Sequence, residues 1–403
     1  MDAFLVDGIR TPIGSFGGTL STVRTDDLAA LTISELLKRN PGLDPSSIGD
    51  VILGCANQAG EDNRNVARMA GLLAGLPVSV PGETINRLCA SGLAAATNAA
   101  RMLALGDADI VIAGGVENMT RGPWVMSKAS KAFGRDSQMH DSSFGWRFIN
   151  PNLEKIYGVD GMGVTAENLV DLHGISREDQ DTFAFHSHRK ATAARDQGVL
   201  AEEIVPVAIP RRKQDDLIFE HDEFIRSGTT LDILSKLRPA FRKEGGSVTA
   251  GNASGLNDGS AALLLANAQG LKSQNLEPLA EILSSAVIGV EPRIMGIGPV
   301  KASEIALKRA GLTFADIDVI ELNEAFSAQA LACIRSWNIA GDDARINPNG
   351  GGISLGHPLG MTGSRILLTA ARQLRRTGGK YGLVTLCIGV GQGYAVVIKN
   401  TAV

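Results

Sequence analysis

The sequence predicts an α/β protein made of two similar halves with a loop-rich insertion, and three observations carry that prediction. Short β-type runs alternate with longer helical patterns from Ala3 to about Asn118, and again after Ala250. This is the pattern of a buried parallel or mixed sheet covered by helices. Between 120 and 249 the texture changes to charges, Trp124, Trp146, Tyr157 and irregular Gly, Pro and Ser segments. The third observation is an internal repeat. Asp50-Val-Ile52 precedes Cys89 by 39 residues, and Asp318-Val-Ile320 precedes His357 by the same 39. After two intervening residues each is followed by glycine (Gly92, Gly360), then by a helix rich in Ala, Leu and Arg and a strand ending in glycine. Agreement in order, spacing and element type implies two related halves about a pseudo-twofold axis. Cys89 and His357 then occupy equivalent places and face each other across the interface.

Taken in order, Phe4-Leu-Val, Val51-Ile-Leu and Ile110-Val-Ile-Ala are apolar runs expected as buried strands. Thr25 to Arg39, Arg64 to Leu73 and Ser91 to Leu105 are expected as helices, as are Thr165 to Leu172 and Arg177 to Gln197 in the insertion. Ala261 to Ala266 completes the first half, and Leu279 onward opens the second, with a helix over Ser364 to Arg376 and a strand from Leu383 towards Gly389. The domains are therefore 1–119 with 250–270, an inserted loop domain over 120–249, and 271–403. A chain of 403 residues is long for a single core, which fits this division.

A net charge of −4 argues against nucleic-acid or membrane-surface partners. The N-terminus carries an acid at once and a short apolar run, so it is expected as a first strand and not as a signal peptide, and no window is expected to approach the length of a membrane span. Cys55, Cys89, Cys333 and Cys387 lie far apart, without a C-x-x-C pair, which fits reduced thiols in a cytoplasmic protein. His186-Ser-His188 has no further ligands at useful spacing, so no metal is expected.

Four stretches carry chemistry: Asn86-Arg-Leu-Cys89-Ala-Ser-Gly92, Asn323-Glu-Ala-Phe326, Gly356-His357-Pro-Leu-Gly360 and Cys387-Ile-Gly389-Val-Gly391. Singly, each has a structural explanation: Cys89 and Cys387 as core residues, Asn323 as a helix N-cap, His357 as a turn residue. Together they supply a nucleophile, a base, a polar orienter and a second thiol beside a glycine-rich turn. Cys89 is expected in the first turn of a helix, where free N–H groups and the macrodipole favour its thiolate.

With NRLCASG, GGVENM (Gly114 to Met119), TAGNASGLNDG (Thr249 to Gly259), NEAF, GHPLG and CIGVGQG in order and spacing, the chain resembles the thiolase family essentially end to end. The resemblance implies a thiolase fold, acyl-CoA substrates with coenzyme A as co-substrate, no permanently bound cofactor, and a homodimer or homotetramer. It also implies that Cys89, deprotonated by His357, attacks the 3-oxo carbon, that Cys387 exchanges a proton with the acetyl-CoA enolate, and that a water on Asn323 and the N–H groups of Cys89 and Gly389 bind oxyanions. Positions matching the family's coenzyme A contacts are Arg226 and Ser254, with Met162, Met295 and Phe326 at the thioester end.

Gly161-Met162 departs from the His-Met of many acetoacetyl-CoA thiolases, Val390 replaces a common glycine, and Met361-Thr362 stands where Ala and Ser are common. These features, with Gly145-Trp-Arg-Phe148, look most like the 3-oxoadipyl-CoA thiolases. The alternatives are an acetoacetyl-CoA or general fatty-acid 3-ketoacyl-CoA thiolase, a ketosynthase-type cousin, or a silent coenzyme A-binding protein of the same fold. A dicarboxylic acyl chain needs a cation, and Arg121, Arg135 and Arg147 lie in the right region without a basis for choosing among them.

Overall fold

The computed structural model describes residues 2–403. Nine strands form the path of its main sheet: β1 (Phe4–Arg10), β2 (Asp50–Gly54), β3 (Gly82–Ile85), β4 (Ile110–Asn118), β5 (Asn257–Ala266), β6 (Ala280–Gly289), β7 (Val319–Leu322), β8 (Tyr381–Ile388) and β9 (Gln392–Asn400). Their order is β7-β8-β9-β6-β1-β5-β4-β2-β3, with the short strand Gly14–Ser15 added on β5.

This order is the same walk taken twice. In the first half β2 runs parallel to β3 and β4, β4 is antiparallel to β5, and β5 to β1. In the second, β7 is parallel to β8, β8 antiparallel to β9, and β9 to β6. A parallel bridge from Ile320 to Ile346 stands where β3 stands in the first half. The two walks meet where β1 pairs antiparallel with β6, Phe4 opposite Glu281. The repeat in sequence is thus a repeat in topology.

The helices explain why the strands are apolar on both faces. α1 (Thr25–Arg39) covers one face of the first half, and α2 (Ser91–Leu105) the other. Along β4, Val111 and Ala113 join the cluster around α2, while Ile110 and Ile112 join the one around α1. That alternation is the period of a strand buried on both sides. In the second half α5 (Gly298–Ala310) and α7 (Leu359–Thr377) take corresponding faces. α2 and α7 lie together in the central cluster, with Leu93, Ala96 and Ala100 beside Ile366, Leu367 and Ala370.

Burial on nearly every side makes α2 Ala- and Leu-rich all round, which corrects the expectation that no window reaches membrane-span length. Leu88–Leu105 has the length and a mean hydropathy of 1.2, yet 61% of it is buried inside the protein. It is a core helix.

Residues 120–249 give no strand to the main sheet. Two short hairpins, Trp124–Met126 with Met139–Asp141 and Val207–Ile209 with Leu217–Phe219, pair only within themselves. α3 (Met162–His173) and α4 (Arg177–Asp196) supply most of the helical part, beside the short helices Pro151–Tyr157 and Leu231–Ser235, and Ser176 and Asp179 form a capping box at α4.

Three helix starts differ from expectation, and the first is α3, expected from Thr165, which begins at Met162. The helix expected from Arg64 begins at Val66, because Asn63 and Arg64 have φ of 23° and 65° and the Asn65 side chain caps the Arg68 N–H. The helix expected from Ser364 begins at Leu359, with Pro358 as its cap residue. Two glycines in its first turns, Gly360 and Gly363, hide that start in the sequence.

Candidate active site

The earlier start of α7 sharpens the repeat. Cys89 stands two residues before α2, within the 3₁₀ turn Leu88–Ala90, and His357 stands two residues before α7. A β-carbon added to Gly92 would lie 2.5 Å from the Gly360 carbonyl oxygen, and one added to Gly363 would strike the Leu93 backbone. Glycine at these places lets the two helix starts touch. Leu88, with φ of 47°, makes the sharp turn ahead of Cys89, and the Ser91 hydroxyl closes it by accepting from the Arg87 N–H at 2.8 Å and donating to the Leu88 carbonyl at 2.7 Å. Strain of this kind is kept where the surrounding structure over-determines it.

β8 and its turn bring in the remaining chemistry. Cys387, 1% exposed, is the next-to-last residue of β8 and lies close enough to Cys89 that a charge on Cys89 pushes the Cys387 pKa further up. The N–H of Gly389 reaches the Cys89 sulfur. Cys89, Cys387 and Gly389 therefore lie near one another, where the Leu88–Ala90 turn packs on the end of β8 and a Gly389 β-carbon would stand 3.5 Å from the Leu88 side chain.

Electrostatics here corrects the expectation of a helix-stabilised thiolate. Removal from water is the largest influence on Cys89 and raises its pKa above the ordinary thiol value, while the N–H groups of Gly389 and of Cys89 itself act in the opposite direction without prevailing. Burial also pushes the Cys387 thiol well up. His357, 5% exposed, is lowered to about 3 by burial, with the Arg365 charge adding to it. The resting site is two thiols and a neutral imidazole.

The imidazole is oriented from several sides. Its Nδ1 lies 2.8 Å from the Thr362 hydroxyl, which donates to the Pro358 carbonyl at 2.8 Å. With that proton committed, the hydroxyl accepts from Nδ1–H, leaving Nε2 as the free base. Asn323 Nδ2 lies 3.4 Å from Nε2. Asn323 is not the helix cap: α6 (Ser327–Ser336) starts after Phe326, with no side-chain cap. Its Oδ1 is buried without a hydrogen-bond partner. A buried amide oxygen in that state suits an ordered water beside the imidazole.

Sequence reasoning missed two further residues. Asn257 accepts the His357 N–H at 2.9 Å and donates to the Gly14 carbonyl at 3.0 Å. Glu117, from GGVENM, accepts N–H groups from Ala56 and Asn57 at 3.0 Å and from Gly360 at 2.8 Å, joining the two halves beside His357. Burial nonetheless raises its carboxyl to about 7. Position as an acid within a long apolar strand was the signal available for Glu117. Glu117, Asp62 and Cys55 also lie together, ligand atoms within 4.8 Å of one another. The cluster suits a metal poorly, since the Cys55 thiol donates to the Asn57 carbonyl at 2.8 Å, burial raises its pKa well above the ordinary value, and Glu117 is occupied by backbone donors.

The residues expected to bind coenzyme A fall into two groups. Met295 and Phe326 share a buried cluster with Cys387. The Met162 sulfur lies 3.6 Å from where a Gly389 β-carbon would stand, and the Phe241 ring packs against Gly163 and edge-on to Phe326. These side chains form an apolar wall at the thiols. Further out, the Arg226 guanidinium lies over the Phe224 ring, 5.0 Å from its centre, and that ring packs on Gly255 beside Ser254. The Ser254 N–H is bound to the Ala325 carbonyl at 2.9 Å, which ties this group to the NEAF loop.

Comparison with known proteins agrees with this architecture. The family described as Thiolase, N-terminal domain matches residues 3–269, and Thiolase, C-terminal domain matches 276–400. The chain is 56% identical over 399 residues to the 3-oxoadipyl-CoA/3-oxo-5,6-dehydrosuberyl-CoA thiolase of Escherichia coli strain K12, covering 99% of each. It is 54% identical over 398 residues to a beta-ketoadipyl-CoA thiolase of Acinetobacter baylyi, again covering 99% of each. Among solved structures, the Bacillus anthracis acetyl-CoA acetyltransferase superposes with a TM-score of 0.91 at 41% identity, over 99% of this chain and 98% of that one. Two domains matched in order, whole-length relatives and the shared fold lead to one conclusion: the chain belongs to the thiolase family and is an acyltransferase.

Proposed function

We propose that this enzyme cleaves 3-oxoadipyl-CoA with coenzyme A to acetyl-CoA and succinyl-CoA, by ping-pong chemistry through an acyl group on Cys89. The observation that supports the reading is the close approach of the Gly92 and Gly360 helix starts, which brings the His357 loop against the Cys89 turn, with Cys387 near Cys89, in a chain 56% identical to a relative named for a 3-oxoadipyl-CoA activity.

In the first half-reaction Cys89 gives its proton to His357 Nε2 and its sulfur bonds to the 3-oxo carbon. The bond between C2 and C3 breaks, its electron pair passes to the acetyl-CoA enolate, and Cys387 protonates C2. The free CoA thiol then gives its proton to the Cys387 thiolate and attacks the Cys89 thioester, and the departing Cys89 sulfur recovers the proton from His357. Preorganised donors stabilise the charge that develops on oxygen: a water on Asn323 with His357 at one oxyanion, and the N–H groups of Cys89 and Gly389 at the other. Coenzyme A lies along Arg226 and Ser254 towards Met162, Met295 and Phe326.

The exposed edge strand β3 and the exposed side chains of Trp124, Met126, Phe133 and Met139 support a dimer or a tetramer. Four free cysteines support a cytoplasmic, reducing location. The experiment is a thiolysis panel of 3-oxoadipyl-CoA, acetoacetyl-CoA and a medium-chain 3-oxoacyl-CoA. The highest kcat/KM is expected for 3-oxoadipyl-CoA; preference for either other substrate would overturn the assignment.

A further inference from the structure

We propose that the turn Ser142–Phe148 is the subsite for the carboxylate at the far end of a dicarboxylic acyl chain, with the Arg147 guanidinium as its cation and His140 Nε2 as a second donor. The inference rests on the 3-oxoadipyl-CoA reading above and names the residues that would give it selectivity.

Of the three arginines in this region, the structure leaves one with unused donors in a sheltered position. Arg121 is spent: Nε and Nη2 donate to Glu61 at 2.7 and 2.5 Å, and Nη1 to the Ser21 carbonyl at 2.9 Å. Arg135 is exposed, beyond the paired part of the hairpin that joins Trp124–Met126 to Met139–Asp141. Arg147 is half-buried, and its one side-chain hydrogen bond runs from Nη1 to the Ser142 carbonyl at 3.2 Å. No carboxylate among the described residues pairs with it. A guanidinium carries five N–H donors in a planar fork that matches a carboxylate, so four remain for a ligand.

The turn is anchored on both sides of the thiols. On one side Ser142 receives Asn57 Nδ2, at 2.9 Å on its hydroxyl, and the Asn57 N–H is held by Glu117, whose other oxygen holds Gly360 beside His357. On the other side Trp146 Nε1 donates to the Asp160 carbonyl at 3.2 Å, two residues before Met162, whose sulfur borders Gly389. Arg147 therefore sits on a segment bridging the His357 loop and the wall beside Cys89. His140 is independent support. Its Nε2 is buried without a hydrogen-bond partner, and its ring stands edge-on to Phe148 with centres 4.9 Å apart. A buried ring nitrogen without a partner, a donor in the tautomer that carries its proton, and an underused cation on one short segment are the elements a carboxylate requires, and a chain ending in methyl would leave both unmet.

The test measures kcat/KM for thiolysis of 3-oxoadipyl-CoA and of 3-oxohexanoyl-CoA, the same length without the carboxylate, in wild type, Arg147→Met, Arg147→Lys and His140→Asn. Arg147→Met should lose on the order of 10²-fold on 3-oxoadipyl-CoA and change little on 3-oxohexanoyl-CoA. Arg147→Lys should retain part of the preference, and His140→Asn should lose selectively but less. Equal losses on both substrates would mean a structural role and overturn the inference. A wild-type preference that survives Arg147→Met overturns the inference alone, whereas a wild type without preference overturns both it and the 3-oxoadipyl-CoA reading.

Discussion

Cys89 illustrates how one residue's chemistry depends on what the whole fold does to it. Its place before a helix argues for a thiolate, but the helix is central and the thiol loses water, so its pKa rises while that of His357 falls to about 3. The site therefore differs from a thiolate–imidazolium pair. Inactivation by iodoacetamide, followed by loss of thiolysis, should keep accelerating as pH rises through 8; a plateau reached below pH 7 would show a preformed ion pair and contradict the assignment. The same shift has a stability consequence. A histidine lowered from 6.5 to about 3 on folding leaves the unfolded chain to bind the proton first, so His357 costs stability progressively as pH falls from 6.5 towards 3. At this scale Cys89, His357 and Cys387 were legible because rare residue types recur beside glycines. Thr362, Asn257 and Glu117 were not, because each acts through hydrogen bonds that only the folded chain brings together.

At the scale of elements, the turn from β8 to β9 shows how a local departure is absorbed. Gly389, Val390 and Gly391 form it, and Val390 has φ of 63°, a conformation that suits glycine and crowds a β-branched side chain. Its side chain is 40% exposed, so little packing is lost without it. Val390→Gly should remove about 1–2 kcal/mol of strain and lose roughly 0.4–1 kcal/mol through the freer unfolded chain. A small rise in Tm is expected, and a fall would show that the valine methyls pack productively. The element pattern was readable for α1, α2 and α4, where apolar spacing or capping residues mark the ends. It failed at α7, since Gly360 and Gly363 are present for close approach to α2 and not for helix propensity.

Across the whole molecule, the repeated sheet walk places two helix starts against each other and delivers a cysteine from one half and a histidine from the other to one interface. The second half adds Asn323 and Cys387, and Glu117 from the first half fastens the Gly360 N–H of the second. This arrangement was legible because the repeat preserved spacing as well as order; within residues 120–249 the helices were legible, but the course of the irregular segments between them was not, since these carry no period. The central claim is that Cys89 carries the acyl group. The most direct measurement is peptide mass spectrometry after mixing the enzyme with 3-oxoadipyl-CoA in the absence of free coenzyme A. A succinyl mass on the peptide containing Cys89, removed by added coenzyme A, is expected; a peptide that stays unmodified while acetyl-CoA is released, or an acyl mass on Cys387 instead, would contradict the account.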